Sequence, residues 1–231
     1  MMETGYNQFC PVAMASEILC PRWTIILLRE LVSGSTRFND LRRGVPKMSS
    51  ALLSKRLKEL EAAGIVTRVS SKTKRSTHEY HLTEAGQDLK GIINAFGIWG
   101  QRWVETEITL DNLDPSLLMW DMRRCLNTSP LPSQRSVIEF TYTCRPQAEK
   151  NWWLIVEPNG HVDLCSVDPG FDITLYITTT LRIMTSIWMG ISTVKSEQAA
   201  TTLILDGDLD IIRKMDIWLG LSPFASETKK V

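Results

Sequence analysis

The sequence predicts an α+β chain made of two unlike halves, and three observations carry that expectation. Residues 36–83 run as a short basic helix, a Pro-bearing turn, a long amphipathic helix and two β-rich segments joined by a cationic loop. Beyond Pro132 the apolar pattern changes from helical spacing to strict alternation, the period of a strand. Charge divides in the same place: residues 1–105 hold 15 Lys/Arg against 10 Asp/Glu, and residues 106–231 hold 11 against 16. The zero net charge of the 231 residues is therefore a cancellation, and a basic first half suggests a nucleic-acid partner for that half alone.

Bulk composition narrows the class further. The opening MMETGYNQFC has no apolar run of the kind a signal peptide needs. The most apolar window, residues 173–191, contains Arg182 and six Thr or Ser, too polar for a bilayer span. Five cysteines without a C-x-x-C pair fit reduced thiols better than a disulfide framework. The expectation is a cytoplasmic protein without a membrane partner.

In the first half, Pro11 follows Cys10 at the first helical position, where its missing N–H costs nothing. Trp23 to Val32 is apolar on nearly every side and reads as a central core helix. Ser33-Gly34-Ser35 ends it, and Thr36 is the expected cap of the next helix, with Phe38 and Leu41 inward and Arg37, Arg42 and Arg43 outward. After the Gly44-Val45-Pro46 turn, Ser49 or Ser50 caps a helix with apolar positions Leu53, Leu57 and Leu60, and Gly64 stops it. Ser50, Ala51, Ser54, Lys55 and Lys58 fall on its opposite side. Small side chains in the first turns with lysines behind suit a helix whose start approaches base edges.

Ile65–Val69 and His78–Leu82 are the expected strands, with Lys72, Lys74 and Arg75 between them. Three cations in four residues repel one another unless phosphate is near. The order of parts is a helix-turn-helix with a wing. The expected base-facing residues are Ser50, Ala51, Ser54 and Lys55; the expected phosphate contacts are Arg37, Lys58, Lys72, Lys74 and Arg75. The competing reading is a small helical domain with a solvated basic face. Thr83 caps a last helix striped by Leu89, Ile92, Ile93, Phe96, Trp99 and Trp103, with Gly97 and Gly100 among the aromatics. Glycine within a helix costs about 1 kcal/mol against Ala, and close approach of a second copy justifies that cost; packing on the chain's own first helix is the alternative.

Across residues 10–105 the chain resembles the HxlR-type branch of winged-helix regulators, related to the MarR group. The matching pieces include Cys10-Pro11-Val12, Trp23-Thr24, Arg29-Glu30-Leu31, Arg37-Phe38-Asn39, Leu41-Arg42-Arg43, Ala63-Gly64, Glu79-Tyr80 and Trp99-Gly100. The resemblance implies a homodimer on an imperfect palindrome in double-stranded DNA. The chain departs from the family pattern at Cys20-Pro21, where members usually carry a Gly-Gly-like turn, so the aim of the second helix is open there. Cys10, at a helix start, is a redox-sensing candidate, because free N–H groups and the helix dipole stabilise a thiolate. Some HxlR-type relatives use this cysteine to sense oxidants or electrophiles; a plain structural cysteine is the alternative.

In the second half, 106–112 reads as a linker and Asp114-Pro115 starts a helix through Leu126. Ile138, Phe140 and Tyr142 alternate with polar neighbours; Trp152–Val156 is a continuous apolar strand; Val162/Leu164 and Ile173/Leu175/Ile177 alternate again. Helices are expected over Thr180–Met189 and Leu209–Leu219. The pattern predicts an antiparallel sheet covered on one face by helices. Residues 110–226 resemble the sterol-carrier-protein type-two module, on Asp206-Gly207-Asp208, Trp218-Leu219, Ser222-Pro223-Phe224 and element order. That resemblance implies an apolar cavity; the pocket candidates are Phe140, Trp153, Leu175, Met184, Trp188, Met215 and Trp218, with ordinary core as the competing role.

Neither a phosphate loop nor a nucleophile–base pair is visible in the sequence, and no cofactor or metal is expected. The division expected is 1–105 for DNA binding and dimerisation and 113–226 for an apolar effector. A hydrophobic-ligand carrier, with the second half primary, is the alternative class.

Overall fold

The computed structural model describes residues 5–70, 78–105, 110 and 113–231. The chain divides into two compact units, Met1–Gly97 and Ile98–Val231. The cationic loop residues Lys72, Lys74 and Arg75 lie outside the described residues, as does most of 106–112.

In the first unit the order is α1 (Pro11–Leu19), α2 (Thr24–Val32), α3 (Phe38–Gly44), α4 (Ser50–Ala62), β1 (Val66–Ser70) and β2 (His78–Leu82), and α5 (Glu84–Trp103) begins in it and runs past Gly97. The core is the apolar sequence stripes brought together: Leu27, Leu28 and Leu31 of α2, Leu41 of α3, and Leu53, Leu57 and Leu60 of α4 are buried in one cluster. Each such side chain contributes about 1.5–3 kcal/mol by leaving water. The strands pair antiparallel with Val66 opposite Leu82 and Ser70 opposite His78.

A buried carboxylate, Glu30, lies where α2 meets the end of α3. Glu30 receives Arg29 Nη2 at 2.7 Å, and the same nitrogen donates to the Gly44 carbonyl at 3.0 Å. A Cβ on Gly44 would lie 1.9 Å from the Glu30 carboxyl carbon, so only glycine ends α3 here. The expected cap of α3 is corrected by one residue. Arg37, not Thr36, occupies the cap, because the Thr36 carbonyl is engaged by Tyr80 N–H and Arg37 bridges to Glu79.

In the second unit, α6 (Pro115–Cys125) leads to a five-stranded sheet of order β5-β4-β3-β6-β7. The strands are β3 (Ser136–Tyr142), β4 (Asn151–Val156), β5 (Val162–Cys165), β6 (Leu175–Thr179) and β7 (Ile204–Gly207). Short α7 (Gln147–Lys150), α8 (Leu181–Trp188), α9 (Val194–Ala199), α10 (Leu209–Arg213) and α11 (Met215–Trp218) complete it. Asp114 caps α6 as expected, accepting from Ser116 and Leu117 N–H.

The sheet corrects the expectation of a purely antiparallel one: β3 and β6 pair in parallel, Ile138 opposite Leu175 and Phe140 opposite Ile177. Alternation marks a strand but says nothing of its direction. Residues 166–174 return the chain across the sheet, so that β6 enters beside β3 in the same sense. The expected helix Leu209–Leu219 is two short ones. The Ile211 carbonyl, which a continuous helix would offer to Met215, takes the Trp218 indole N–H at 2.8 Å instead. Gly207, at φ 141°, closes β7 where a Cβ would meet the Thr174 carbonyl oxygen at 2.4 Å.

Met119, Met122, Phe140, Tyr142, Met184 and Trp218 lie in one large cluster on one sheet face, and Val137, Trp153 and Ile155 form a smaller cluster on the other. Burial pushes the Tyr142 phenol far above its ordinary range, and its O–H donates to the Met119 sulfur at 3.0 Å. Among the described residues no single helix is long and apolar enough to cross a membrane.

Candidate nucleic-acid interface

The two sides of α4 are sharply different. Leu53, Leu57 and Leu60 are buried, while Ser50, Ala51, Lys55 and Lys58 are exposed and Ser54 is partly so. Ser49 caps the helix, accepting from Leu52 N–H at 3.3 Å. The cap leaves the first turn, with its small side chains, uncovered. Lys55 stands 3.9 Å from Glu59, while Lys58 has no ion-pair partner among the described residues.

Arg37 sits at the start of α3 with its Nε 3.4 Å from Glu79 of β2. That contact, with the backbone bridge beside it, ties the turn before α3 to the wing hairpin. The structure thus places Arg37 at the hairpin and Ser50, Ala51, Ser54, Lys55 and Lys58 together on one exposed side of α4. Lys47, in the turn before α4, and Arg68, on β1, are exposed cations that the sequence set did not include. The cation in the turn was a readable signal, but Arg68 was not: β1 is buried only at Val66 and exposed from Thr67 to Ser70, so alternation would have turned Arg68 to the side of Val66.

The HxlR-like helix-turn-helix description matches residues 18–108. An uncharacterized HTH-type transcriptional regulator of Bacillus subtilis, YvaP, is 34% identical over 100 residues, 43% of this chain and 93% of that protein. This chain belongs to the HxlR-like helix-turn-helix family. A second B. subtilis regulator, YdeP, is 36% identical over 94 residues, covering 41% of this chain and 73% of its own length. Among solved structures, the redox regulator HypR in its reduced form is 35% identical, covering 40% of this chain and 91% of that one, with a TM-score of 0.38. HxlR-like chains are transcriptional regulators, and DNA-binding transcription control is the class in which this one stands.

Two surfaces outside α4 are also uncovered among the described residues. None of the nine residues of α1 is buried, and Phe9 just before it is 98% exposed. On α5, Ile93 is buried, but Ile92, Phe96, Trp99 and Trp103 are exposed, Phe96 at 63% and Trp99 at 59%. Among the described residues, a Cβ on Gly100 would meet nothing within 4 Å.

Cys10 is the cap of α1 and is exposed. Backbone N–H groups of Ala13 and then Val12, free at the helix start, hold its thiol pKa below the usual value. Cys20 is at the other end of the same helix, about 15 Å away at 1.5 Å per residue, beyond disulfide reach without rearrangement.

Of the pocket candidates, Phe140, Leu175, Met184, Trp188, Met215 and Trp218 come together in the large cluster of the second unit, buried against one another. Trp153 does not join them. Its neighbour Trp152 points into that cluster, so Trp153 faces the opposite side of the sheet with Val137 and Ile155. A continuous apolar strand gives no clue to which of two adjacent tryptophans faces which layer.

Proposed function

We propose that the protein is a homodimeric transcriptional regulator that reads a palindromic operator through α4. Residues 1–105 bind DNA and dimerise, and residues 113–226 form a sterol-carrier-like module. The observation that carries this reading is the outward side of α4: small residues at its capped start, lysines along it, and the opposite side fully committed to the core. Ser50, Ala51, Ser54 and Lys55 face bases, while Arg37, Lys58, Lys72, Lys74 and Arg75 hold phosphates and fix register. The uncovered apolar surfaces of α1 and α5 support a second copy as their partner, since exposed aromatics in such number mark an interface. Two α4 helices about 34 Å apart then meet successive major grooves.

Selection of bound duplexes from a random pool by the purified full chain tests this. The expected product is an inverted repeat with half-site centres about one helical turn apart. Failure to enrich any duplex, or enrichment unchanged in a Lys55→Glu/Lys58→Glu variant, overturns it.

A second reading stays within regulation. The exposed, pKa-lowered thiol of Cys10 supports a thiol sensor of oxidants or electrophiles. Cys10→Ser is then expected to keep DNA binding and lose the oxidant response; a retained response removes the sensor role.

A further inference from the structure

A cavity of about 350 Å³ lies in the first unit between α1, the corner before α2 and the second half of α4, lined by Glu17, Ile18, Pro21, Thr24, Arg56 and Glu59, with Leu60 and Ala63 as further apolar wall. Three features set it apart from a simple surface dent. Thr24 is 2% exposed and lines the cavity, yet among the described residues its hydroxyl oxygen has no hydrogen-bond partner. A buried, unmatched hydroxyl carries a desolvation cost that a ligand would remove. The charges are unevenly satisfied: the Arg56 guanidinium donates from Nε to the Arg22 carbonyl at 3.2 Å and is paired with Glu59. Glu17 accepts one backbone N–H, from Tyr6 at 2.7 Å, and has no cationic partner among the described residues. The corner itself is strained, since Trp23 stands at φ 79°, a conformation that costs a bulky side chain of order 1–3 kcal/mol.

We infer that this cavity is a binding site for a small organic cation with an apolar body, an arylalkyl ammonium in shape and charge. The ammonium lies against the Glu17 carboxylate and donates to Thr24 Oγ1, while Ile18, Pro21, Leu60 and Ala63 receive the apolar part. The guanidinium of Arg56 repels it least when turned to Glu59, where the structure already holds it. An anionic ligand fits poorly, because the one cation in the wall is taken and the one unmatched charge is negative.

The position gives binding a consequence. One wall belongs to α1, part of the proposed dimer surface, and the other to α4, the proposed reading helix. A ligand between them alters the separation of the two α4 helices in a dimer, and so operator affinity, if it favours one arrangement over the other. This regulatory half rests on the proposed function; the binding site does not.

Calorimetric titration of the full chain with phenethylammonium, and separately with phenylacetate, tests the site. Phenethylammonium is expected to bind saturably and at least about tenfold more tightly than phenylacetate, the worth of one charge-assisted hydrogen bond. Glu17→Gln is expected to abolish that preference. Thr24→Val is expected to weaken the ammonium about threefold to tenfold while leaving thermal stability unchanged or raised, since it deletes an unmatched buried hydroxyl; a lowered stability would assign Thr24 to the architecture alone. Absence of saturable binding, equal affinity for phenylacetate, or an unchanged preference in Glu17→Gln overturns the site. With binding intact, a selected operator whose affinity shifts by about fivefold or more on adding phenethylammonium supports the regulatory half, and an unchanged affinity overturns it. A chain that binds the ammonium but no duplex overturns the proposed function and leaves the site standing.

Discussion

Helices α1 and α8 are alike in length and apolar character and opposites in burial. PVAMASEIL and LRIMTSIW are nine and eight residues long, each mostly apolar and each with a central Met. Yet α8 buries Leu181, Met184, Thr185, Ser186, Ile187 and Trp188, whereas no α1 residue is fully buried and Leu19 is only partly so. A helix this short is marginal in water and owes its stability to packing. For α8 the packing partner is the sheet of its own unit. Among the described residues α1 meets its own core through Leu19 while most of it stands uncovered, and that difference is the physical reason behind the proposed second copy.

The sharpest way to break this comparison is to truncate one Met in each helix. Met184→Ala is expected to cost about 2–5 kcal/mol of unfolding free energy, read from denaturant titration, because it opens a cavity in a closed core. Met14→Ala is expected to change the stability of the dissociated chain by no more than about 0.5 kcal/mol, while weakening dimerisation about tenfold in sedimentation equilibrium. Equal destabilisation by the two variants would show that α1 is packed within its own chain.

The same contrast runs across α4. Leu57→Ala, on its buried side, is expected to cost about 2–5 kcal/mol of stability. Lys58→Ala, one residue on, is expected to leave stability within about 0.5 kcal/mol but to reduce the salt slope of duplex binding by about 0.9, one phosphate contact. Filter binding across a salt series measures the slope. An unchanged slope would place Lys58 off the DNA.

Smaller effects separate the two units at their caps. Ser49→Ala removes the acceptor for Leu52 N–H, and Asp114→Ala removes the acceptor for Ser116 and Leu117 N–H. Each is expected to cost about 1 kcal/mol, with Asp114 at the larger end because it satisfies two donors and carries the charge a helix start favours. If Ser49→Ala instead altered DNA affinity with no loss of stability, the start of α4 would be held by the duplex rather than by its cap.

What could be read from the chain follows the range of each interaction. The caps at Ser49, Thr83 and Asp114, the stop at Gly64 and the leucine stripe of α4 are local patterns, and the structure has them where the spacing puts them. The outward side of α4 followed from the same stripe. Direction and layer were not legible, because they are set by distant segments. β6 runs parallel to β3, β7 joins the sheet edge, and Trp153 turns away from Trp152 only once both sheet faces are occupied. The cap of α3 fell at Arg37 because the wing, more than 40 residues later, takes the Thr36 carbonyl. The cavity beside Thr24 depends on α1, α2 and α4 meeting, so no spacing announced it.

The smallest expected effect concerns Cys10, where the difference between the helices becomes chemical. An exposed thiol at the uncovered start of α1 meets Ala13 and Val12 N–H groups, and their bonds favour the thiolate. Because the thiol pKa is lowered, the advantage in reactivity lies below the ordinary thiol range and disappears once any thiol is ionised. Alkylation by iodoacetamide, followed by mass spectrometry at a series of pH values, is expected to run faster at Cys10 than at a model thiol near pH 7 and to converge with it above about pH 9. Stability should not change with this modification, since the side chain is outside any core. If dimerisation covers α1, labelling at Cys10 should slow as protein concentration rises, and labelling independent of concentration would separate the thiol from the dimer surface.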